Sequence, residues 1–232
     1  MLHPEQFLPA ITTTDGGSDW REKIKEIDEL GLKKVALFPT CLRKREREEM
    51  FSLLSKTSLK EIPFAHIRTD MDYSELDWLI DKYQTKVFNF HSSQEHRHFF
   101  DYTPYKGMLY LENIYSANFT EAEIKQWAGI CLDFSHWENH RLKGEPQFEF
   151  ISEMLKKYPL GCNHISAIVR EPFIDNKGIL VYGVHHYSKL SEFDYLKNYS
   201  LNYFSNFVAI EVDNPLKEQL KAIDYIINLM NN

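Results

Sequence analysis

The 232-residue chain has little that would mark a secreted or membrane-spanning protein. No apolar run approaches the length of about 18 residues that a membrane-spanning helix needs. The N-terminus has no basic segment followed by an apolar one, so we expect no signal peptide. Only three cysteines occur, an odd number without a close pairing motif, and two of them fall inside predicted strands. We therefore expect reduced, buried thiols in a cytoplasmic protein.

An excess of positive charge is also absent. The chain has 27 lysines and arginines against 34 aspartates and glutamates, which gives a formal net charge of −7. Proteins that derive their affinity from nucleic-acid phosphates usually show the opposite balance. The densest basic segment, residues 43–47, is interleaved with glutamates and is interpreted as the solvated start of a helix. The charge balance thus argues against intact duplex DNA as the substrate.

No glycine-rich phosphate loop follows any predicted strand, which argues against the alternative of an open doubly wound sheet. The segment Asp15 to Gly17 is only a turn signal, and Ser18 is expected to cap the first helix. Strand-like apolar runs instead alternate with helical periodicity along the chain. Strands are predicted at residues 8–13, 33–38, 62–66, 86–91, 107–112, 129–133, 162–167 and 207–211.

Helices are predicted at residues 20–32, 46–54, 74–83, 148–158 and 216–229. Eight strands with about seven intervening helices predict one (β/α)8 TIM barrel that spans residues 1–232 as a single domain. Residues 92–106 and 168–190 fit neither pattern, and we expect irregular connections there. Long connections on the catalytic rim of a barrel are usually functional.

Six side chains that bind divalent metals well each end a separate apolar run. They are His66, His91, Glu112, Asp133, His164 and Glu211. In a parallel barrel the C-terminal ends of the strands form one rim, where active sites are built. Carboxylates grouped in a cleft repel one another, and a divalent cation is the usual means of keeping several ionised. Imidazole and carboxylate without thiolate suit Zn, Mn, Fe or Co, so the pattern predicts a metal site without cysteine.

Two further histidines extend this set. The motif Asp133-Phe-Ser-His136 places an imidazole in the turn after a strand, where it can point back over the same cavity. His185 lies in the long segment after the seventh strand and is expected on the same rim. The remaining histidines that fall away from strand ends are interpreted as surface residues: His3, His96, His98 and His140.

Together these stretches resemble the xylose isomerase-like TIM barrel superfamily, and within it the endonuclease IV branch most closely. The resemblance covers almost the whole chain from Ile11 onward. It rests on Phe88-Asn-Phe-His-Ser92, Leu111-Glu-Asn113, Gly129-Ile-Cys-Leu-Asp-Phe-Ser-His136, Asn163-His-Ile165, Val184-His-His186 and Ile210-Glu211.

The resemblance implies a zinc or manganese centre with two metal ions, or three if a third set is complete. The first set would be His66, His91 and Glu112. Glu112 would bridge to a second set, which is completed by Asp133, His164 and Glu211. His136 and His185 would be two ligands of the third.

One position departs from the family pattern. The family has an aspartate two residues before the last histidine, and this chain has Gly183. The third set is therefore short of a carboxylate, and supplying one by Gly183→Asp is expected to raise metal content. The chain also lacks long basic loops of the kind that bend duplex DNA. We therefore expect a small phosphorylated or sugar-like substrate, or a short single-stranded end.

The sugar isomerase and epimerase branch of the superfamily remains open as an alternative. In that interpretation Glu112, Asp133, His164 and Glu211 hold one metal, and the two glutamates exchange protons with substrate carbons. The resemblance also places Arg170 as a substrate-binding residue, with His136 in contact with a substrate oxygen. His185 is a further candidate for substrate contact.

His66 and His91 decide the ranking of these two functions. Hydrolysis of a phosphoester needs an activated water and charge stabilisation, which two or three metals about 3.5–4 Å apart supply. An isomerase needs one metal and carboxylate bases, and it has no use for two extra imidazoles beside Glu112. The sequence therefore favours a metal-dependent phosphoester hydrolase over an isomerase or epimerase. A non-catalytic binding protein or a lyase-type enzyme is the third possibility, and the sequence does not predict the oligomeric state.

Overall fold

The computed structural model describes residues 1–13, 19–115, 119–175 and 178–232. The predicted turn at residues 15–17 and the predicted cap Ser18 lie outside these ranges. The first helix is instead capped by Asp19, whose carboxylate accepts hydrogen bonds from the backbone N–H groups of Arg21 and Glu22. An aspartate at this position satisfies amide groups that the first turn of a helix leaves unpaired.

Within the described ranges the chain forms ten strands. They are β1 (Phe7–Thr12), β2 (Ala36–Phe38), β3 (Phe64–His66), β4 (Val87–Phe90), β5 (Leu109–Glu112), β6 (Gly129–Asp133), β7 (Leu160–Ile165), β8 (Ala167–Ile174), β9 (Leu180–Val184) and β10 (Val208–Ile210). Eight of these are parallel and form a closed barrel, in the order β1-β10-β7-β6-β5-β4-β3-β2. The predicted (β/α)8 barrel is thus confirmed.

The helices lie between the strands of the barrel. They are α1 (Trp20–Glu29), α2 (Lys44–Leu54), α3 (Tyr73–Tyr83), α4 (Glu121–Ile124), α5 (Phe134–Lys143), α6 (Pro146–Lys157) and α7 (Leu216–Asn231). Short 3₁₀ segments occur at Pro4–Gln6, Thr103–Tyr105, Leu190–Asn198 and Leu201–Tyr203. Among the residues described, no helix combines the length and the apolar character needed to cross a membrane.

The helices form because their apolar residues recur on one face. In α7 the residues Leu216, Ala222, Ile223 and Ile226 are buried against the barrel, while the opposite face is polar. α3 begins with a capping box, in which Asp72 and Glu75 each accept a hydrogen bond from the other's backbone N–H. These elements surround the barrel with one apolar layer.

A second, smaller apolar cluster fills the inside of the barrel below the predicted site. It consists of Leu8, Ala10, Ala36, Phe38, Phe64, Val87, Cys131, Cys162 and Ala209. The rings of Phe38 and Phe64 lie 4.7 Å and 5.3 Å from the ring of His164. This packing supports the imidazole from beneath and excludes water from that side.

The segment after β7 differs from the expectation of an irregular connection. β8 and β9 form an antiparallel hairpin, with Ala167 opposite Val184 and Ile174 opposite Leu180. The register shifts between Ile168 and Phe173, and Pro172 lies in that shifted region. A proline donates no ladder hydrogen bond, so it is tolerated where the pairing is interrupted. The connection after β4 is irregular as predicted, with only the short 3₁₀ turn Thr103–Tyr105.

Candidate metal centre

The six predicted ligands lie at the C-terminal rim of the barrel. His66, Glu112 and Asp133 are the last residues of β3, β5 and β6. His164 is the next-to-last residue of β7, while His91 and Glu211 directly follow β4 and β10. All but His91 are buried, and Asp133 and His164 have no exposed surface. Parallel strands of similar length bring their ends to one level, which explains why one sequence pattern produces one cluster.

Four of these side chains converge on one point. Ligand atoms of Glu112, Asp133, His164 and Glu211 all lie within 4.8 Å of one another. His164 Nδ1 is 2.8 Å from Glu211 Oε2 and 3.7 Å from Glu112 Oε1. The same nitrogen is 3.9 Å from Asp133 Oδ2. Three carboxylates and one imidazole thus share a single small volume.

A second group shares Glu112 with the first. Ligand atoms of His66, His91 and Glu112 also lie within 4.8 Å of one another. Glu112 Oε2 is 3.4 Å from His66 Nδ1 and 3.8 Å from His91 Nε2. Its other oxygen, Oε1, faces His164. The two oxygens of one carboxylate therefore face two different sets of ligands.

Surrounding groups fix the orientation of two ligands. Glu95 Oε2 lies 3.1 Å from His91 Nδ1, which leaves Nε2 on the side of Glu112. A carboxylate behind a histidine in this way sets its tautomer and directs the other nitrogen to a metal. Asp133 Oδ1 accepts hydrogen bonds from the hydroxyl of Ser135 and the backbone N–H of His136. Asp133 Oδ2, on the side of the carboxylate cluster, has no hydrogen-bond partner although it is buried.

The electrostatics of this cluster are compatible with a bound cation. Burial raises the pKa of Glu112 well above its ordinary value, and the charges of Glu211 and Asp133 raise it further. Burial also acts upward on Glu211, but the charge and hydrogen bond of His164 outweigh it and lower that pKa. Burial, with the charge of His91, lowers the pKa of His66 and keeps it neutral. Neutral imidazole and ionised carboxylate are the forms that bind divalent metals.

These residues fit a divalent metal ion. The free oxygen of Asp133 and the free Nδ1 of His66 are buried polar atoms without hydrogen-bond partners, and both face Glu112 or its neighbours. Buried polar atoms are nearly always paired, so these two unpaired atoms are suited to coordinate a cation. The donor set of imidazoles and carboxylates suits Zn or Mn.

Comparison with known proteins supports the fold independently. No family model matches the sequence, and no curated protein matches it. A xylose isomerase-like TIM barrel protein from Mycobacterium smegmatis, solved in complex with magnesium, superposes with a TM-score of 0.52 at 12% identity, over 99% of this chain and 98% of that chain. The chain has the xylose isomerase-like TIM barrel fold.

Two further structures are similar. A fusion of a xylose isomerase-like TIM barrel with 4-hydroxyphenylpyruvate dioxygenase matches at 12% identity and a TM-score of 0.50, over 95% of this chain and 41% of that one. An AP endonuclease of family 2 from Brucella melitensis matches at 11% identity and a TM-score of 0.47, over 92% of this chain and 96% of that one. At 12% identity the two likenesses with TM-scores of 0.52 and 0.50 define the fold alone, and the chemistry must be argued from the side chains.

The third predicted set of ligands does not assemble as the first two do. His136 lies in the first turn of α5, and its Nδ1–H donates to the backbone carbonyl of Asn113 at 2.7 Å. Burial lowers the pKa of His136, so it is a neutral imidazole whose Nε2 is the acceptor. His185 is half-buried and lines the same cavity. Among the described residues, the groups of three or more close ligand atoms include neither histidine.

Gly183 shows why a carboxylate is missing there. A Cβ atom added at Gly183 would lie 1.8 Å from the hydroxyl oxygen of Tyr115. The ring of Tyr115 packs edge-on against His136, with 4.0 Å between ring centres. The tyrosine hydroxyl therefore fills the space that a side chain at position 183 would need. The expectation that Gly183→Asp raises metal content is not supported unless Tyr115 moves.

The rim encloses a cavity of about 810 Å³. Arg170, predicted to bind substrate, is exposed on β8 and is not among the residues that line this cavity. Arg68 does line it, but its guanidinium is bound to Asp70 at 2.8 Å and to the carbonyl of Thr40 at 3.1 Å. Among the described residues that border the cavity, Arg68 is the lone arginine or lysine.

The structure contradicts the prediction for one residue and adds an observation on two others. His140 is buried, with its ring nitrogens at the carboxylate of Glu145 and the carbonyl of Ile114, so the prediction of a surface residue is wrong. His96 is exposed as predicted but borders the cavity, where its ring stacks on His91. The predicted ligands include no cysteine, and the sulfur of Cys131 lies within 4.8 Å of ligand atoms of Glu112 and His164. Cys131 and Asp133 are two residues apart in β6 and share one face, which is the signal that could have found it.

Proposed function

We propose that this protein is a divalent-metal-dependent hydrolase of phosphoesters that uses two metal ions. The observation that supports this is the position of Glu112, whose Oε1 faces His164 at 3.7 Å and whose Oε2 faces His66 at 3.4 Å. A carboxylate that presents its two oxygens to two ligand sets is suited to bridge two metals. Two-metal sites with ions about 3.5–4 Å apart are typical of phosphoester hydrolases.

The ligand assignment follows from the geometry. Asp133, His164 and Glu211 would hold one ion, His66 and His91 would hold the other, and Glu112 would contact both. Divalent ions at these positions would supply Lewis acidity toward a phosphoryl oxygen and toward the attacking water. Zn or Mn suits the donor set.

His136 is placed to handle a proton. Its Nδ1–H is held by the carbonyl of Asn113, and its lowered pKa keeps Nε2 unprotonated near neutral pH. The side chain borders the cavity, so Nε2 can accept a proton from water or a hydrogen bond from the substrate. We assign it the role of general base or substrate-orienting group. His185 borders the same cavity and is assigned to the leaving group.

One observation favours the alternative, a metal-dependent sugar or sugar-phosphate isomerase or epimerase. The pKa of Glu112 is raised whereas that of Glu211 is lowered. Two carboxylates whose pKa values are pushed apart are suited to act as an acid and base pair. This alternative leaves His66 and His91, with the supporting Glu95, without a chemical task.

The number of bound metals tests the proposal. We expect about two equivalents of Zn or Mn per chain, and hydrolysis of bis(p-nitrophenyl) phosphate that disappears with chelation. His91→Ala and Glu211→Gln each remove a ligand from one set only, so each should lower the content toward one equivalent. His186→Ala is the matched control, because His186 borders the cavity but belongs to neither ligand set.

A different metal content would favour the isomerase or epimerase. One equivalent in the wild-type protein, unchanged by His91→Ala and accompanied by ketose epimerisation, would establish the alternative. We also propose that the substrate is a small molecule and not duplex DNA, in keeping with the net charge of −7. Binding to abasic duplex that weakens steeply with salt would contradict that part.

A further inference from the structure

The cavity above the metal ligands has two unlike sides. Its floor consists of the imidazoles and carboxylates described above. Its outer wall is the β8–β9 hairpin, from which Phe173, Ile174, Ile179 and Val181 border the cavity. These four residues, here called the hairpin wall, all have apolar side chains.

Two side chains of the hairpin wall are exposed. Phe173 is 43% exposed and Ile174 is 62% exposed, although both border the cavity. Single exposed apolar side chains are common, but several together beside a polar site usually mark a binding surface. The remaining area of these two side chains is therefore available to a ligand that also reaches the floor.

The hairpin wall has few hydrogen-bonding groups for a polyhydroxylated molecule. Sugar hydroxyls need hydrogen-bonding partners, because an unpaired polar group that becomes buried is unfavourable. The polar side chain of the hairpin that borders the cavity is Asp175, and its Oδ1 already accepts a hydrogen bond from the backbone N–H of Ile179 at 2.8 Å. An aromatic or branched apolar group, in contrast, would bury its surface against Phe173 and Ile174.

We propose that the substrate carries an apolar, preferably planar, group beside the atoms that meet the metal centre, so that it is an aryl or similarly apolar phosphoester and not a sugar phosphate. This deepens the proposed hydrolase function and rests on it for the identity of the phosphoryl group. The apolar selection itself rests on the hairpin wall alone. The occupant of the wall is thus part of the substrate and not a second copy of the chain.

A pair of inert ligands tests the selection without turnover. The metal-loaded protein would be titrated calorimetrically with phenylphosphonate and with methylphosphonate, which share one head group. Burying the ring should make phenylphosphonate bind about 10-fold tighter or more. Phe173→Ser and Ile174→Ser should each reduce this ratio toward one.

Leu180→Ser is the matched control. Leu180 is 40% exposed and pairs with Ile174 in the same hairpin, but it does not border the cavity. It should keep the wild-type ratio. Equal binding of the two phosphonates, or the same loss in Leu180→Ser as in Phe173→Ser, would overturn the inference.

A second pair, benzoate and acetate, separates this inference from the proposed function. If neither phosphonate binds but benzoate binds at least several-fold tighter than acetate, the hairpin wall selects apolar ligands and the phosphoester proposal fails. If benzoate shows no preference either, the inference fails. Sedimentation of the wild-type and Phe173→Ser proteins completes the test. If Phe173→Ser converts a dimer to a monomer but leaves the ratio of the two phosphonate affinities unchanged, the hairpin wall is a subunit contact and the inference fails.

Discussion

The floor and the hairpin wall of the cavity are built on opposite principles. The floor consists of buried polar groups, most of them less than 6% exposed, that are fixed at strand ends and held by hydrogen bonds. The wall consists of apolar groups on a two-stranded ribbon outside the barrel, and two of them, Phe173 and Ile174, are exposed to water. Grouped, buried carboxylates repel one another, and exposed apolar surface is unfavourable in water. A bound ligand would relieve both effects.

This difference indicates a division of labour. In the proposed function the fixed carboxylates and imidazoles would provide the chemistry, because metal binding demands defined geometry. The hairpin lies outside the closed barrel, so it can vary in sequence without disturbing the strands that hold the ligands. We therefore expect changes in the floor to alter metal binding and stability, and changes in the wall to alter ligand preference.

The largest effect is expected from Glu112→Gln in metal-free protein. The fold raises the pKa of Glu112. The free energy that this carboxyl contributes to folding is therefore fully present below its pKa in the unfolded chain, and it is lost as the pH rises through its pKa in the folded protein. Each pKa unit of difference corresponds to about 1.4 kcal/mol. The metal-free variant should thus be more stable than the wild-type protein at pH 8, with a smaller gain at pH 5. With Zn or Mn bound the order should reverse.

Urea unfolding of chelator-treated protein at the two pH values measures this. Glu5→Gln, at an exposed position remote from the rim, should leave the difference between pH 5 and pH 8 unchanged. If metal-free wild-type protein is as stable as Glu112→Gln at pH 8, the floor is not held under electrostatic repulsion. The contrast between floor and wall would then lose its basis.

The two regions also differ in how far the sequence predicts them. The sequence places Asp133 and Glu112 on the rim because each ends an apolar run, and the barrel carries every strand end to one rim. The sequence does not predict the hairpin, because Glu171 and Pro172 interrupt the alternation of β8, where the pairing register also shifts. Local periodicity contains no information about which segment pairs with which.

The sequence does not predict the proximity of Tyr115 and Gly183 for a similar reason. The two residues are far apart in the sequence, and they are neighbours because β9 of the hairpin lies beside Tyr115. A glycine in a predicted loop suggests only a turn. Its actual role is to leave room for a tyrosine hydroxyl where floor and wall meet.

An intermediate effect is expected at this junction. In Gly183→Ala the new Cβ would lie 1.8 Å from the Tyr115 hydroxyl, so the ring must move. Such overpacking costs about 1–3 kcal/mol of unfolding free energy. In a Tyr115→Phe background the cost should shrink, because the next ring atom is 3.0 Å away. Gly107→Ala is the control, since no atom lies within 4 Å of its added Cβ.

A double-mutant cycle by urea unfolding measures the coupling between the two positions. Additive effects of Gly183→Ala and Tyr115→Phe would show that the hydroxyl does not occupy that space. Elemental analysis of Gly183→Asp in both backgrounds extends the test. We expect its metal content to stay at the wild-type value while the Tyr115 hydroxyl is present.

The smallest effect is expected from Arg170→Ala. Arg170 is exposed on β8 within the region of shifted register, and it does not border the cavity. Removing an exposed side chain with no such contact usually changes stability by less than about 0.5 kcal/mol. Binding of phenylphosphonate and metal content should likewise stay within about 2-fold, since 0.4 kcal/mol corresponds to that factor. Arg68→Ala should show the larger loss, because Arg68 borders the cavity and anchors Asp70. The opposite result would be that Arg170→Ala abolishes ligand binding or ketose epimerisation while Arg68→Ala does not. The hairpin would then contact the substrate through a charged group, and the isomerase interpretation would replace that of an apolar phosphoester substrate.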